Sequence, residues 1–239
     1  MSSLRLFHMA IQSYGHSRAF RCVWLLEELG VDDFEVCMLT PGLPYAPQMQ
    51  KYGVIRSHKI PTLQMDGHEI GESGVISQVI AERYQAHHQL LGDPDERLEM
   101  LQWIAMAETC LTFRMPLFHL LMGNGKELKN LQSEIIEPMQ NVLRENVAHF
   151  ESHFESHFEK HGSDYLLDSG FSVADTMCGF SLHMGDSWGL MDLKTGNSPR
   201  TLAYLERMRA RPAFKNAEKY AEVKPGLYGR GCVPINYPL

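Results

Sequence analysis

Apolar and polar positions change period along this chain, and each change marks an element. Residues 4–9, Leu-Arg-Leu-Phe-His-Met, predict a short opening strand, followed at once by a turn through residues 12–17. Over residues 18–29 the period becomes helical. Phe20, Val23, Trp24 and Leu26 supply an inward stripe, and Arg18, Arg21, Glu27 and Glu28 are expected to face out. Gly30 is placed to stop that helix. Residues 34–39 alternate moderately and predict a second strand. Strand, helix, strand with short links implies a parallel pair joined by a right-handed crossover. Residues 40–57 hold Pro41, Gly42, Pro44 and Pro47 and read as a loop with one short helix. Two apolar runs around Leu63 and Ile70 flank Asp66-Gly67, a strong hairpin signal, and a helix is expected over 74–84.

Beyond a polar link with Gly92, Asp93 and Pro94 the period is helical almost throughout. Leu98, Leu101, Ile104, Ala105 and Leu111 share one side of a helix over 95–121 that Pro116 should bend or break. A loop at 123–125 precedes a long helix over 126–161 with a kink at Pro138. Ser172 followed by Asp175 has the spacing of a capping box, so a helix is expected to open there. Residues 1–86 are therefore expected to form an α/β domain and 95–222 an all-α domain. The Pro- and Gly-rich residues 223–239 read as an irregular tail.

With 239 residues, 44% hydrophobic and 21% charged, the chain can bury a sizeable core in one or two domains. Its formal charge of -7 lacks the clustered Lys and Arg that phosphate binding requires, so no nucleic-acid partner is expected. Cys22, Cys37, Cys110, Cys178 and Cys232 are scattered, odd in number and without a C-x-x-C pair. They read as reduced thiols of a cytoplasmic protein, not as a disulfide framework or a zinc site. The N-terminus has no basic region before an apolar core, and no run of about eighteen apolar residues occurs, so neither a signal peptide nor a membrane span is expected.

Chemistry concentrates in residues 59–80. Pro61 opens a strand, where it cannot donate to a sheet ladder, and Glu72-Ser73 stand where the chain enters a helix whose first N–H groups and positive dipole end are free. An X-Pro bond facing a polar helix start is the layout of a site that grips a peptide-like ligand by its main chain. A second candidate lies at His149, His153, His157 and His161, spaced four apart as metal ligands on a helix face. Phe150, Phe154 and Phe158 between them instead predict an amphipathic helix with histidines at its flank, and the sequence identifies no ligand from a second element. No metal is expected.

I-P-T-L…D-G…I…E-S…I at 60–76 resembles the glutathione-binding half of the soluble glutathione S-transferases. Residues 16–30, H-S-R-A-F-R-C-V-W-L-L-E-E-L-G, are similar to the first helix of fungal and bacterial members with an S-R-x-x-R-x-x-W-L-L-E-E-L pattern. The resemblance implies a thioredoxin-like domain followed by a helical one, glutathione as co-substrate, a homodimer, and an apolar electrophile as second substrate. It further implies that Pro61 is cis and that the Ile60 main chain pairs with the cysteinyl part of glutathione. Lys59 would lie near the glycyl carboxylate, and Glu72 and Ser73 would hold the γ-glutamyl end. Ser17 is the first candidate for the hydroxyl that stabilises the thiolate, then Tyr14, then Ser13. Met106, Phe113, Met115, Phe118 and Met122 are candidates for the wall against the second substrate, and hydroperoxide reduction is a side activity such a site would support. The loop around 13–15 is longer than the family pattern, and 53–59 departs from its N-P-x-G-K type of segment. A binding module with little catalysis is the alternative reading.

Overall fold

The computed structural model describes residues 4–11, 15–85, 90–112, 137–191, 193–194, 197–230 and 233–234. The chain divides into two units, Met1–Asp93 with Met208–Leu239, and Pro94–Arg207.

In the first unit, β1 (Leu4–His8) is nearly all buried and leads into a small separate hairpin of β2 (Ala10–Ile11) and β3 (Gly15–His16). Helix α1 (Ala19–Glu28) follows and stops at Gly30, whose φ of +64° is open to glycine at little cost; the Val31 N–H reaches back to the Leu26 carbonyl. β4 (Phe34–Met38) returns parallel to β1, and α2 (Tyr45–Gln50) lies in the proline-rich segment. β5 (Thr62–Met65) runs antiparallel to β1 and turns through Asp66-Gly67, both at positive φ as a tight hairpin needs, into β6 (His68–Gly71). Helix α3 (Ser73–Arg83) completes the thioredoxin-like arrangement. Phe7, Cys37, Leu39, Met49 and Val54 fill one side of the sheet.

Three expectations change here. Arg21 and Glu27 are buried, not outward: Arg21 reaches Ser73 on α3, and a segment distant in sequence covers Glu27. Phe214 on α8 (Pro212–Glu218) packs edge-on against Phe20 and Trp24, with ring centroids 5.0 and 4.9 Å apart. Glu27 then meets the Tyr220 hydroxyl at 3.4 Å, and Arg211 donates to both oxygens of Glu28. Residues 208–222, expected at the end of the helical domain, thus belong with the first unit. The tail is not irregular throughout either. β7 (Gly226–Gly229) pairs with β4, and β8 (Val233–Pro234) pairs with β7, extending the order to β6-β5-β1-β4-β7-β8. The free edge of β4 is a row of unpaired backbone groups, which β7 satisfies.

The second unit is helical. α4 (Arg97–Met106) widens into an i→i+5 turn over Ala107–Thr112, where the Ser181 hydroxyl takes the Ala107 carbonyl at 2.9 Å. α5 (Glu137–His161) buries Phe150, Phe154 and Phe158 as its sequence predicts, the last two packing against Tyr204 on α7 (Pro199–Ala210). The expected start of that helix at 126, and Pro116, lie outside the described residues. Ser172 and Asp175 form the predicted capping box at the start of α6 (Val173–Ser187). No helix among the described residues is long and apolar enough to cross a membrane.

Candidate functional site

The residues singled out in 59–73 meet the end of β1 through sheet register. Phe7 pairs with Thr62, so one step further His8 stands opposite Pro61. The Ile60–Pro61 peptide is cis. Thr62 builds the corner below it. Its hydroxyl donates to the Lys59 carbonyl at 2.7 Å, so its hydrogen is spent and the Ser57 hydroxyl donates to it in turn. Pro61 and Thr62 are buried, Ile60 is half-buried and Lys59 is exposed. Among the described residues the Ile60 main chain takes no hydrogen bond, which leaves a peptide edge open beside the end of β1.

The atypical segment before it is held by one side chain. Glu69 on β6 accepts the Ile55, Arg56 and Ser57 N–H groups at 2.9, 2.8 and 3.1 Å. These donors, the Ile55 N–H foremost, hold its carboxyl below the ordinary range. Three successive N–H groups on one carboxylate fix a loop that carries no glycine or proline of its own between 54 and 60.

Across from this edge, Glu72 takes φ +63° and ψ 114°, a conformation that a residue with a Cβ enters at a cost of about 1–2 kcal/mol. Its carboxylate is exposed and makes no cap bond. Ser73 is buried as the first residue of α3. Its hydroxyl accepts a bond from Arg21 Nη1 at 3.0 Å, across 52 positions of sequence. A fully buried guanidinium therefore lies behind a helix start whose first N–H groups have no intrahelical partner. Both features favour an anion at this point.

Ser17, the first candidate hydroxyl, is buried between β3 and α1. The Met9 N–H donates to His8 Nδ1 at 2.8 Å, which makes that nitrogen an acceptor. Ser17 Oγ lies 3.0 Å from the same nitrogen and so gives it its hydrogen, while accepting the Ala19 N–H at 3.4 Å. Ser13 and Tyr14 lie outside the described residues, as do Phe113, Met115, Phe118 and Met122. Cys22 is on α1 near Ser77 and the Ser73 carbonyl, and burial pushes its thiol up to about 12, so it is inert as a nucleophile.

Sequence reasoning named Lys59, Ile60, Pro61, Glu72, Ser73 and Ser17, and the structure gathers them at one end of the first unit's sheet. It missed His8, Arg21, Thr62 and Glu69. Arg21 is the second arginine of the S-R-x-x-R stretch, and its charge alone argued for solvent.

A thioredoxin-like unit with an open peptide edge beside an anion-attracting helix start is followed in this chain by a helical unit. A family model described as "Glutathione S-transferase, N-terminal domain" matches residues 16–88, and one described as "Glutathione S-transferase, C-terminal domain" matches 114–220. The chain belongs to the glutathione S-transferase family. Comparison with curated protein sequences gives no match. Among solved structures, a glutathione S-transferase from Xylella fastidiosa is 20% identical with a TM-score of 0.72, covering 92% of this chain and 100% of that one. A glutathione S-transferase-like protein from Lodderomyces elongisporus is 18% identical with a TM-score of 0.73, covering 90% of this chain and 95% of that one. Ure2p in complex with glutathione is 18% identical with a TM-score of 0.71, covering 91% and 93% respectively.

Proposed function

We propose that this protein is a glutathione transferase, in which the site binds glutathione and favours its thiolate for attack on an apolar electrophile. The observation that carries the reading is the buried Arg21–Ser73 pair behind the start of α3, set against the open main chain of Ile60. In this reading the Ile60 N–H and C=O pair with the cysteinyl residue, and Ser73 with the α3 N–H groups receives the γ-glutamyl carboxylate. Glu72 takes the amine, and Lys59 faces the glycyl carboxylate. That Ure2p, of the same fold, holds glutathione supports the choice of ligand. The sulfur forms a bond to carbon, the leaving group departs with its electron pair, and the thiol proton passes to solvent. Hydroperoxide reduction by the same thiolate and a homodimeric assembly belong to the reading.

Because Ser17 gives its hydrogen to His8, we assign thiolate stabilisation to Tyr14 or Ser13 before Ser17. Titration calorimetry with glutathione, followed by turnover of 1-chloro-2,4-dinitrobenzene and of an organic hydroperoxide, tests both parts. Millimolar or tighter binding with turnover, and a kcat/KM that falls at least tenfold in Tyr14→Phe or Ser13→Ala, is the expected result. Binding without turnover on either substrate identifies a glutathione-binding module, the second reading that the committed Ser17 hydroxyl favours. No binding overturns both.

A further inference from the structure

The histidine ladder of α5 lacks a second-element partner in sequence, and the fold supplies one. Glu99 on α4 stands against its C-terminal half, where His157 Nδ1 lies 3.8 Å from Glu99 Oε1. One ligand atom each from Glu99, His157 and His161 lies within 4.8 Å of the others. His157 and His161 stack with ring centroids 4.5 Å apart, and His161 Nδ1 is 3.7 Å from Asp168 Oδ1. His157 is the most buried of the three, its side chain 8% exposed. The three residues line a groove of about 820 Å³ between α4 and α5, together with Trp103, His153 and Lys160.

We propose that a zinc-type divalent transition ion binds in this groove, held by Glu99, His157 and His161, and ties α4 to α5. Two imidazoles and one carboxylate are the donor set of zinc sites with an open fourth position, and they disfavour magnesium and calcium, which take oxygen ligands. Neighbouring ligands of a tetrahedral zinc lie about 3.3 Å apart, given zinc–ligand bonds of about 2.0 Å. The 3.8 Å gap between Glu99 and His157 therefore closes with a small rotation of a half-exposed glutamate. Asp168 is placed to orient His161 through its other ring nitrogen, as carboxylates commonly do behind metal-bound histidines. His149 is exposed at the far end of the ladder and outside the cluster.

The test is zinc titration of the tag-free protein by calorimetry, with cobalt absorbance reporting coordination geometry and melting temperature reporting stapling. One zinc per chain is expected, with a rise in melting temperature that a chelator reverses and a tetrahedral cobalt spectrum. Glu99→Gln and His161→Gln, at sites exposed enough to leave the fold intact, should each weaken zinc at least tenfold, and His149→Gln should bind as wild type. Absence of stoichiometric zinc uptake overturns the proposal. So does full affinity in Glu99→Gln, or a loss in His149→Gln as large as that in His161→Gln, which would place the ion on the ladder alone.

Discussion

At the scale of single residues, the site depends on which polar groups are already spent. Ser17 donates to His8 and accepts from Ala19, so its first task is to fasten the loop after β1 to the start of α1. Ser17→Ala should therefore lower stability by about 1–2 kcal/mol, the cost of leaving buried partners unmet, and change kcat less than Tyr14→Phe does. Urea unfolding and steady-state kinetics on the two variants decide this. A Ser17→Ala protein of unchanged stability and lost turnover would return Ser17 to the thiolate. Arg21 makes the complementary case. Replacing Arg21 by an apolar side chain of similar volume leaves the buried Ser73 hydroxyl without its donor and removes the positive charge behind it. Arg21→Met should weaken glutathione by about tenfold to a hundredfold, or about 1.4–2.7 kcal/mol, while kcat at saturating glutathione changes little. Calorimetry with glutathione measures it, and an unchanged affinity would remove Arg21 from the site.

At the scale of elements, the start of α6 offers a prediction with a sign. Asp175 is fully buried and accepts from the Leu166 and Ser172 N–H groups and the Ser172 and Tyr204 hydroxyls, at 3.1, 2.8, 3.1 and 3.0 Å. Burial outweighs these donors and pushes its carboxyl up to about 6, from 3.8. A raised folded pKa means that the folded state holds the proton longer than the unfolded chain does. The stability this adds is fully present below about pH 4 and is lost as pH rises through about 6. The stability difference between wild type and Asp175→Asn should thus shrink by about 2–3 kcal/mol between pH 4 and pH 7, read by urea unfolding at each pH. A difference that grows over that range would show the four donors, not burial, in control. This element was also among the most legible in sequence, since Ser172 and Asp175 are three apart and a capping box is local. The Asp66-Gly67 hairpin was legible for the same reason. Arg21 and Glu27 were not, because their partners are distant in sequence, Ser73 for Arg21 and Tyr220 and Arg230 for Glu27, and no local period encodes them. The site divides along the same line. Ile60, Pro61, Glu72 and Ser73 announce themselves by turn and helix-start chemistry, whereas the contacts of His8 with Ser17, Arg21 with Ser73 and Glu69 with the 55–57 loop span at least nine positions.

At the scale of the whole molecule, the first unit is closed by a segment that follows the entire second unit in sequence. Glu28 and Arg211 are 183 positions apart, yet Arg211 donates to both carboxylate oxygens. Beside them, Phe214 is fully buried against Phe20 and Trp24, and β7 pairs with β4 over Val36, Cys37 and Met38. A chain ending at residue 207 would leave the outer face of α1 wet and a sheet edge bare, both liabilities for association. It should express as insoluble material or as a species that binds hydrophobic dyes. The point substitution Phe214→Ala separates packing from strand pairing, because it keeps β7 and removes only the ring. Loss of a fully buried phenylalanine costs about 3–5 kcal/mol, and the edge-on contacts to two aromatic rings place this case toward the upper end. Tryptophan fluorescence during urea unfolding should show that loss as a lower midpoint with an unchanged slope. Glutathione should then raise the midpoint of the variant as it does that of wild type, since Phe214 packs on Phe20 and Trp24 of α1 whereas Arg21 reaches Ser73. A loss below about 1 kcal/mol would mean that α1 is stabilised mainly through its contacts with the sheet and α3, and that the C-terminal segment is a cover rather than a part of the fold.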